Sequence, residues 1–178
     1  MSWGNFDIPD ELKIRKKLEQ ILNYTIELQK NDDKYGYDIS CYRYDTKTNK
    51  KCLIGYIELE VSDTWIDVYP DFWKYHSFLA RKVFKFDWNK NEFTDELQDN
   101  YANTIYLIMN QSMTDMICQS IKNISKLNFR YCNVKDRYYN DCYLRIRKKN
   151  KKIICGEDNC SKFIQQFFEE QKILDEFV

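Results

Sequence analysis

The sequence contains little of what several common enzyme classes need. Its 178 residues include only 4 Gly, 2 Pro and a single His. Glycine-rich loops cradle phosphates in P-loop and Rossmann proteins, and the chain has none, which excludes nucleotide binding of these two kinds. The single histidine, His76, has no catalytic partner at a motif spacing, so we interpret it as a structural residue.

The chain also lacks a long apolar run and an excess of charge of either sign. No segment approaches the roughly 20 apolar residues that cross a bilayer, and residues 1–5 lack the charged start of a signal peptide. We expect a soluble, intracellular (cytoplasmic) protein with no membrane partner. Because 28 basic residues balance 28 acidic ones, nucleic-acid binding requires a local basic patch.

Cysteine, in contrast, is plentiful, with seven residues. An odd number without a secretion signal indicates reduced thiols rather than a disulfide framework. Structural zinc sites use cysteines roughly two to four residues apart, and among Cys132, Cys142, Cys155 and Cys160 only the last pair approaches that spacing. The pattern favours free thiols and leaves zinc open. Nothing in the sequence places a cysteine beside His76, which disfavours a Cys–His nucleophile.

Helix-like and strand-like patterns alternate along the chain and predict one domain over residues 1–178. We expect an α/β (α+β) fold in which helices flank a mixed sheet. The core is expected over roughly residues 10–150, followed by a C-terminal helix over about residues 158–177. Apolar residues recur at helical spacing from Ile14 to Leu28, so a first helix is expected to end near Lys30.

The middle of the chain carries weaker patterns. Residues 86–103 are acidic and polar and are expected to form an exposed loop. The continuous apolar run 104–109 is typical of a central strand. Residues 113–124 keep helical spacing, which slightly favours a helix and leaves a strand as the alternative.

The remaining elements are organised around the stretch Ile57–Val61, in which two carboxylates alternate with apolar residues. Successive side chains of a strand point to opposite faces, so Ile57, Leu59 and Val61 share one face while Glu58 and Glu60 share the other. The first face is expected to be core. The second is either a functional site or a solvent-facing row of ordinary acids.

Strands on both sides of this stretch bring further charged residues. The upstream strand, residues 37–42, carries Asp38, and the polar turn 45–51 predicts an antiparallel hairpin that joins it to Glu58. The downstream strand, residues 77–86, carries Arg81 and Lys82. If the three strands are neighbours in one sheet, Asp38, Glu58, Glu60 and Lys82 converge.

Such a group of side chains permits metal-dependent phosphoryl chemistry. Two carboxylates and several waters suit Mg²⁺ (or Mn²⁺), and the ion polarises a phosphoryl oxygen and activates water. In this interpretation Asp38 and Glu58 are the metal ligands, and Glu60 assists as a ligand or base. Lys82 stabilises developing charge while Arg81 binds an adjacent phosphate.

Asp38, the hairpin turn and Glu58 together resemble the PD-(D/E)XK nuclease superfamily, and the element order over roughly residues 10–150 looks like its virus and phage members. The resemblance implies a restriction-endonuclease-like core, Mg-dependent hydrolysis of DNA and, as in many such nucleases, a homodimer. The family pattern has Lys two places after the Glu, where this chain has Glu60. Some members of the superfamily have Glu at that position, and others supply the Lys from a different element, a role that Lys82 could take. The remaining alternative is that catalysis has been lost and only binding remains.

A basic stretch interleaved with tyrosines, residues 129–152, is the candidate nucleic-acid surface. Basic side chains engage phosphates, and tyrosines stack on bases. The residues expected to bind the substrate backbone are Arg145, Arg147, Lys148 and Lys149, with Arg81.

Two rival hypotheses remain from the sequence. One is a catalytically inactive nucleic-acid-binding protein that keeps the fold and the basic stretch. The other is a viral or phage interaction module, whose aromatic surface around Trp65, Tyr69, Phe72 and Trp73 docks on a host partner. The basic stretch also has an alternative interpretation as an exposed charged hairpin that binds no nucleic acid.

Overall fold

A computed structural model of the chain describes residues 8–23, 25–31, 36–62, 64–135, 140–171 and 175–176. In chain order the elements are α1 (Ile8–Ile21), β1 (Glu27–Lys30), β2 (Ile39–Tyr44), β3 (Lys51–Val61), β4 (Tyr75–Leu79), β5 (Phe84–Asp87), β6 (Glu92–Leu97), β7 (Thr104–Met109), β8 (Met116–Ser120), α2 (Ile121–Ile124), β9 (Phe129–Lys135), β10 (Asn140–Arg147), β11 (Ile154–Cys155), α3 (Glu157–Glu169) and β12 (Asp175–Glu176).

The largest unit is a mixed sheet with the strand order β1-β2-β3-β7-β8-β11, in which β12 also pairs with β3. Its centre is the parallel pair β3 and β7, aligned so that Glu58 lies opposite Tyr106. The other pairs in this sheet are antiparallel. The apolar run 104–109 is the buried central strand β7, as predicted.

One face of this sheet packs on helices α1 and α3. Ile14 and Leu18 from α1, Ile164 and Phe168 from α3, and Ile57 from β3 belong to a single buried apolar cluster. Burying such side chains is the dominant stabilising term in a fold of this size. The predicted mixed sheet with flanking helices is confirmed, and no helix among the described residues is long and apolar enough to cross a membrane.

Both terminal helices are shorter than predicted. α1 ends at Ile21, two residues before Asn23 adopts a left-handed conformation (φ 50°), which is a common way for a helix to stop. Leu28, expected on the helix, is instead the buried residue of the edge strand β1. α3 ends at Glu169, and Asp175–Glu176 pairs with β3 rather than continuing the expected helix to 177.

The second face of the large sheet is covered by a smaller antiparallel sheet, β4-β10-β9, and by the β5–β6 hairpin. Phe78, Leu144 and Ile146 from the small sheet share a buried cluster with Tyr106 and Ile108 from β7. β4 therefore lies in a separate sheet, and the expectation that the strand carrying Lys82 neighbours the Glu58 strand in one sheet is wrong.

Three further predictions on the middle of the chain are corrected. The expected strand 77–86 is split by a 3₁₀ turn at Ala80–Lys82 into β4 and β5. The expected loop 86–103 contains β6. The expected helix 113–124 is mostly strand β8, because the turn around Met113 (φ 56°) returns the chain as the antiparallel partner of β7; only α2 is helical.

Candidate active site

The β2–β3 hairpin positions the first two carboxylates of the site. Its turn is ordered by Asp45, whose side chain accepts hydrogen bonds from the Lys47 amide (2.9 Å) and the Thr48 hydroxyl (3.0 Å). The strand register pairs Ile39 with Ile57. Asp38, immediately before β2, is thereby brought beside β3.

Asp38 contacts the β3 backbone directly. Its Oδ2 accepts a hydrogen bond from the Leu59 amide at 3.0 Å. A carboxylate that accepts a hydrogen bond from a backbone amide is held in one position, whereas a carboxylate surrounded by solvent is not. The predicted antiparallel hairpin is confirmed, and it places Asp38 close to Glu58.

β3 separates its side chains as the alternation predicted. Ile57 and Leu59 enter the helix-packed cluster, whereas Glu58 points into the space between the two sheets. Only 1% of Glu58 is exposed. The alternative of an ordinary solvent-facing acid is therefore excluded for Glu58.

Lys82 approaches Glu58 from the 3₁₀ turn that follows β4. Its Nζ lies 2.8 Å from Glu58 Oε1 and 2.9 Å from Oε2. The Lys82 side chain is 13% exposed, so the contact is largely buried, and it is a full ion pair only where Glu58 is ionised. The structure brings Lys82 to Glu58 as predicted, although from a second layer of the fold rather than from a neighbouring strand.

The protonation of Glu58 reflects opposing influences. Burial raises its pKa most, and the nearby Asp38 carboxylate raises it further, whereas Lys82 lowers it; the result is a pKa of about 8. Perturbation by burial together with specific charged partners is common at functional sites. A cation placed between Asp38 and Glu58 would relieve the repulsion that raises this pKa.

Glu60 lies one step further along the same face of β3. Its Oε2 accepts a hydrogen bond of 2.9 Å from the Tyr106 hydroxyl, which itself accepts one from the Leu79 amide at 3.2 Å. Burial raises the pKa of Glu60, and the Tyr106 hydrogen bond opposes that effect. Tyr106 is fully buried. The sequence did not predict it as a site residue, because it lies within the apolar run 104–109.

The donor set suits a hard divalent cation in part. Asp38, immediately before β2, and Glu58, on the adjacent strand β3, offer carboxylate oxygens, which is the protein share of a typical Mg²⁺ site. Within the described ranges, no group of three or more His, Cys, Asp or Glu side chains is arranged to hold a metal ion. Asp38 and Glu58 are the residues that could hold Mg²⁺ or Mn²⁺, with water or substrate completing the shell of the ion.

A basic cavity of about 490 Å³ lies on the small sheet. Arg145 on β10 pairs with Arg130 on β9, and Arg147 and Lys149 join them in lining the cavity. Four cations in one concavity form a local positive site despite the zero net charge. Arg130 was noted in the basic stretch but was not among the predicted substrate-binding residues.

Two of the predicted substrate-binding residues lie elsewhere. Lys148 Nζ sits 4.7 Å from the centre of the Tyr69 ring and donates to the Pro70 carbonyl at 3.2 Å. Arg81 Nε lies 3.4 Å from Asp141 Oδ1, beside a different cleft. Lys148 therefore contacts the loop that contains Tyr69 and Pro70. Arg145, Arg147 and Lys149 lie together in the basic cavity.

His76 and the cysteines make no activated nucleophile. Cys155 Sγ lies 4.0 Å from His76 Nε2, a proximity that no spacing indicated. Burial lowers the pKa of His76 to about 4 and raises that of Cys155, so both groups are neutral at pH 7. Cys132 and Cys142 lie on β9 and β10, whereas Cys155 ends β11 and Cys160 lies in the first turn of α3, so the four cysteines of the possible zinc set are divided between two places.

The aromatic surface expected to dock a host partner is only partly a surface. Trp65 is 1% exposed and belongs to the core between the two sheets. Tyr69 and Trp73 are partly buried against that core. Phe72, at 81% exposure, is the one of the four that stands free in solvent.

Neither a family model nor a curated protein matches the sequence. Among solved structures, a nuclease from a fusselovirus aligns with 91% of this chain and 94% of its own, with a TM-score of 0.49 and 12% sequence identity. At this level of similarity no residue role is transferred from that protein to this chain.

Proposed function

We propose that the chain is a metal-dependent nuclease that hydrolyses DNA phosphodiester bonds. The observation that carries the proposal is the buried pair of Lys82 and Glu58 beside Asp38, assembled from three separate elements. Burying an ion pair costs several kcal/mol of desolvation per ion, so it is weak evidence for a stabilising role. A reactive role explains why these charges are kept inside.

Each residue has a role that follows from its surroundings. Asp38 and Glu58 would hold Mg²⁺ or Mn²⁺, which when bound polarises a phosphoryl oxygen and activates water. Lys82 would neutralise charge on the reacting phosphate, because its ammonium group already lies at the carboxylates. Glu60, with its raised pKa and its orientation fixed by Tyr106, would position the attacking water and accept its proton.

In this proposal the basic cavity binds the phosphate backbone of the substrate. Arg130, Arg145 and Arg147 present guanidinium groups suited to phosphate oxygens. Arg145 also lines the cavity into which Glu60 opens. A nucleic-acid backbone held there is directed toward the acidic site.

A second candidate is a nucleic-acid-binding protein that does not cleave. The burial of Glu58 favours it, because the carboxylate is 1% exposed and both of its oxygens contact Lys82. This candidate predicts salt-sensitive binding that needs neither metal nor the carboxylates.

Metal-dependent cleavage of plasmid and single-stranded DNA tests the proposal. Mg²⁺ or Mn²⁺ should support nicking by the wild-type protein, and Asp38→Asn should reduce the rate by at least about 100-fold, the scale expected when a key electrostatic group is lost. Asp95→Asn, an exposed acid on the β5–β6 hairpin, is the matched control and should cleave normally. Cleavage by Asp38→Asn at the wild-type rate would remove Asp38 from the site.

A further inference from the structure

Beside the acidic site lies a second concavity, which we call the aromatic cavity. It has a volume of about 610 Å³, within the range of small-ligand sites. Glu60 and Arg145 lie in its wall. Its aromatic lining consists of Trp65, Tyr69, Phe72, Trp73, Tyr75 and Tyr143.

The rings of this cavity are held in place before anything binds. Tyr69 packs edge-on against Trp65, with ring centres 4.8 Å apart, and against Trp73 at 5.3 Å. Lys148 lies over the Tyr69 ring, and the Gln111 amide donates to the Trp65 carbonyl at 2.9 Å. Rings that are already ordered lose little conformational entropy on binding a planar partner.

The aromatic cavity and the basic cavity adjoin each other. Tyr75 and Arg145 line both of them, because they lie on the adjacent strands β4 and β10. This pair of cavities, which we call the groove, places four cations beside an aromatic pocket that also contains Glu60. Cations for a backbone followed by rings for its bases are the combination that single-strand-binding proteins use.

We propose that this groove binds single-stranded nucleic acid, with unpaired bases stacked in the aromatic cavity and phosphates on Arg145 and Arg147. The bases of a duplex are stacked on each other and have no free face to offer these rings. Phe72 extends the aromatic wall into solvent, where its 81% exposure leaves a free ring face for a base. The inference deepens the proposed nuclease function by naming its substrate as a single strand.

A second aromatic cleft provides the internal comparison. Phe86, Trp88 and Tyr131 line it together with the acids Glu92 and Asp141. Its one lining cation, Arg81, lies 3.4 Å from Asp141, and the cleft shares no residue with the basic cavity, so its charges suit a phosphate backbone less well. Trp88, at 85% exposure, is accordingly a matched control for Phe72.

The test is fluorescence anisotropy of a labelled single strand of about 12 nucleotides, within the usual site size, and of its duplex, in EDTA so that no cleavage occurs. The single strand should bind more tightly than the duplex. Phe72→Ala should weaken single-strand binding by roughly 5- to 100-fold, as expected for one lost stacking contact. Trp88→Ala should bind as the wild type does, and Arg145→Ala should weaken binding and reduce its salt dependence.

Several outcomes would overturn the inference. They are equal affinity for the two forms, an unchanged Phe72→Ala protein, a loss confined to Trp88→Ala, and no binding of either nucleic acid, which would point to a peptide or other partner. Circular dichroism confirms that each variant is folded. The binding assay contains no metal, so it is independent of the cleavage assay. Unchanged binding by Phe72→Ala together with metal-dependent cleavage of duplex DNA would refute this inference and leave the nuclease proposal intact. Stacking in the binding assay without cleavage in the other would support this inference and refute the nuclease proposal.

Discussion

The two faces of β3 present opposite chemistry to the protein interior. Toward α1 and α3 the strand contributes Ile57 and Leu59 to an apolar cluster. Toward the small sheet it contributes Glu58, which is buried with Lys82 and close to Asp38. The first face is what a stable fold requires, and the second opposes stability, because ions lose solvation that their pairing restores only in part. We infer that the helix-packed face maintains the fold and that the other face performs the chemistry.

The helix-packed face should give the largest loss of stability. Phe168 is fully buried there, and Phe168→Ala is expected to lower the free energy of unfolding by about 3–5 kcal/mol. Cleavage per folded molecule should not change, because Phe168 lies on the opposite side of the sheet from Glu58. Urea denaturation beside a cleavage assay checks both expectations, and a selective loss of cleavage would contradict the division between the faces.

Removing the Lys82 cation on the other face should lower the free energy of unfolding somewhat less than Phe168→Ala does. Lys82→Met leaves Glu58 buried without its partner, and the free energy of unfolding at pH 8 is expected to fall by roughly 3 kcal/mol. The double variant Lys82→Met/Glu58→Gln removes the unpaired acid and should recover most of that loss. Urea denaturation of the wild type, Lys82→Met, Glu58→Gln and the double variant measures the coupling between the two side chains. Additive losses would show that the two side chains do not interact.

The smallest expected effect is a pH dependence that belongs to Glu58. Its pKa in the folded protein is raised to about 8, so the fold retains a proton that the unfolded chain releases. The stabilisation is therefore present at low pH and is lost as the pH rises toward about 8, by less than about 1.4 kcal/mol per pH unit. His76, with its lowered pKa, is already neutral above pH 7 in both states.

Thermal unfolding at pH 6.5, 7.5 and 8.5 separates this contribution from the others. Glu58→Gln should show a flatter pH profile than the wild type. Glu60, whose pKa is also raised, remains in both proteins and supplies the same background. Parallel profiles for the two proteins would show that Glu58 carries its ordinary pKa.

The local pattern was sufficient to predict the parts of the site that lie on one hairpin. Period-two alternation assigned Glu58 and Ile57 to opposite faces, and the polar turn placed Asp38 beside them. These contacts join residues close in sequence, where strand geometry leaves few alternatives. The strand pattern also put forward Lys82, although the expectation of three neighbouring strands placed its element in the large sheet rather than in the second layer.

The contacts that sequence did not predict depend on long-range register. Tyr106 meets Glu60 only because β7 pairs in parallel with β3, a pairing between distant segments. Arg130 joins Arg145 through the pairing of β9 with β10. Lys148 follows Arg147 in sequence but points to the Tyr69 loop, because neighbouring residues at the end of a strand face different surroundings.

The most direct test of the central claim compares stability and cleavage in one preparation of the double variant Lys82→Met/Glu58→Gln. The exchange keeps the approximate size of both side chains and removes both buried charges, so neither is left without its partner. We predict an unfolding midpoint at pH 8 close to or above that of the wild type, together with loss of Mg²⁺-dependent DNA cleavage. A protein that is less stable but still cleaves would contradict the account, because Glu58 would then serve the fold rather than the reaction.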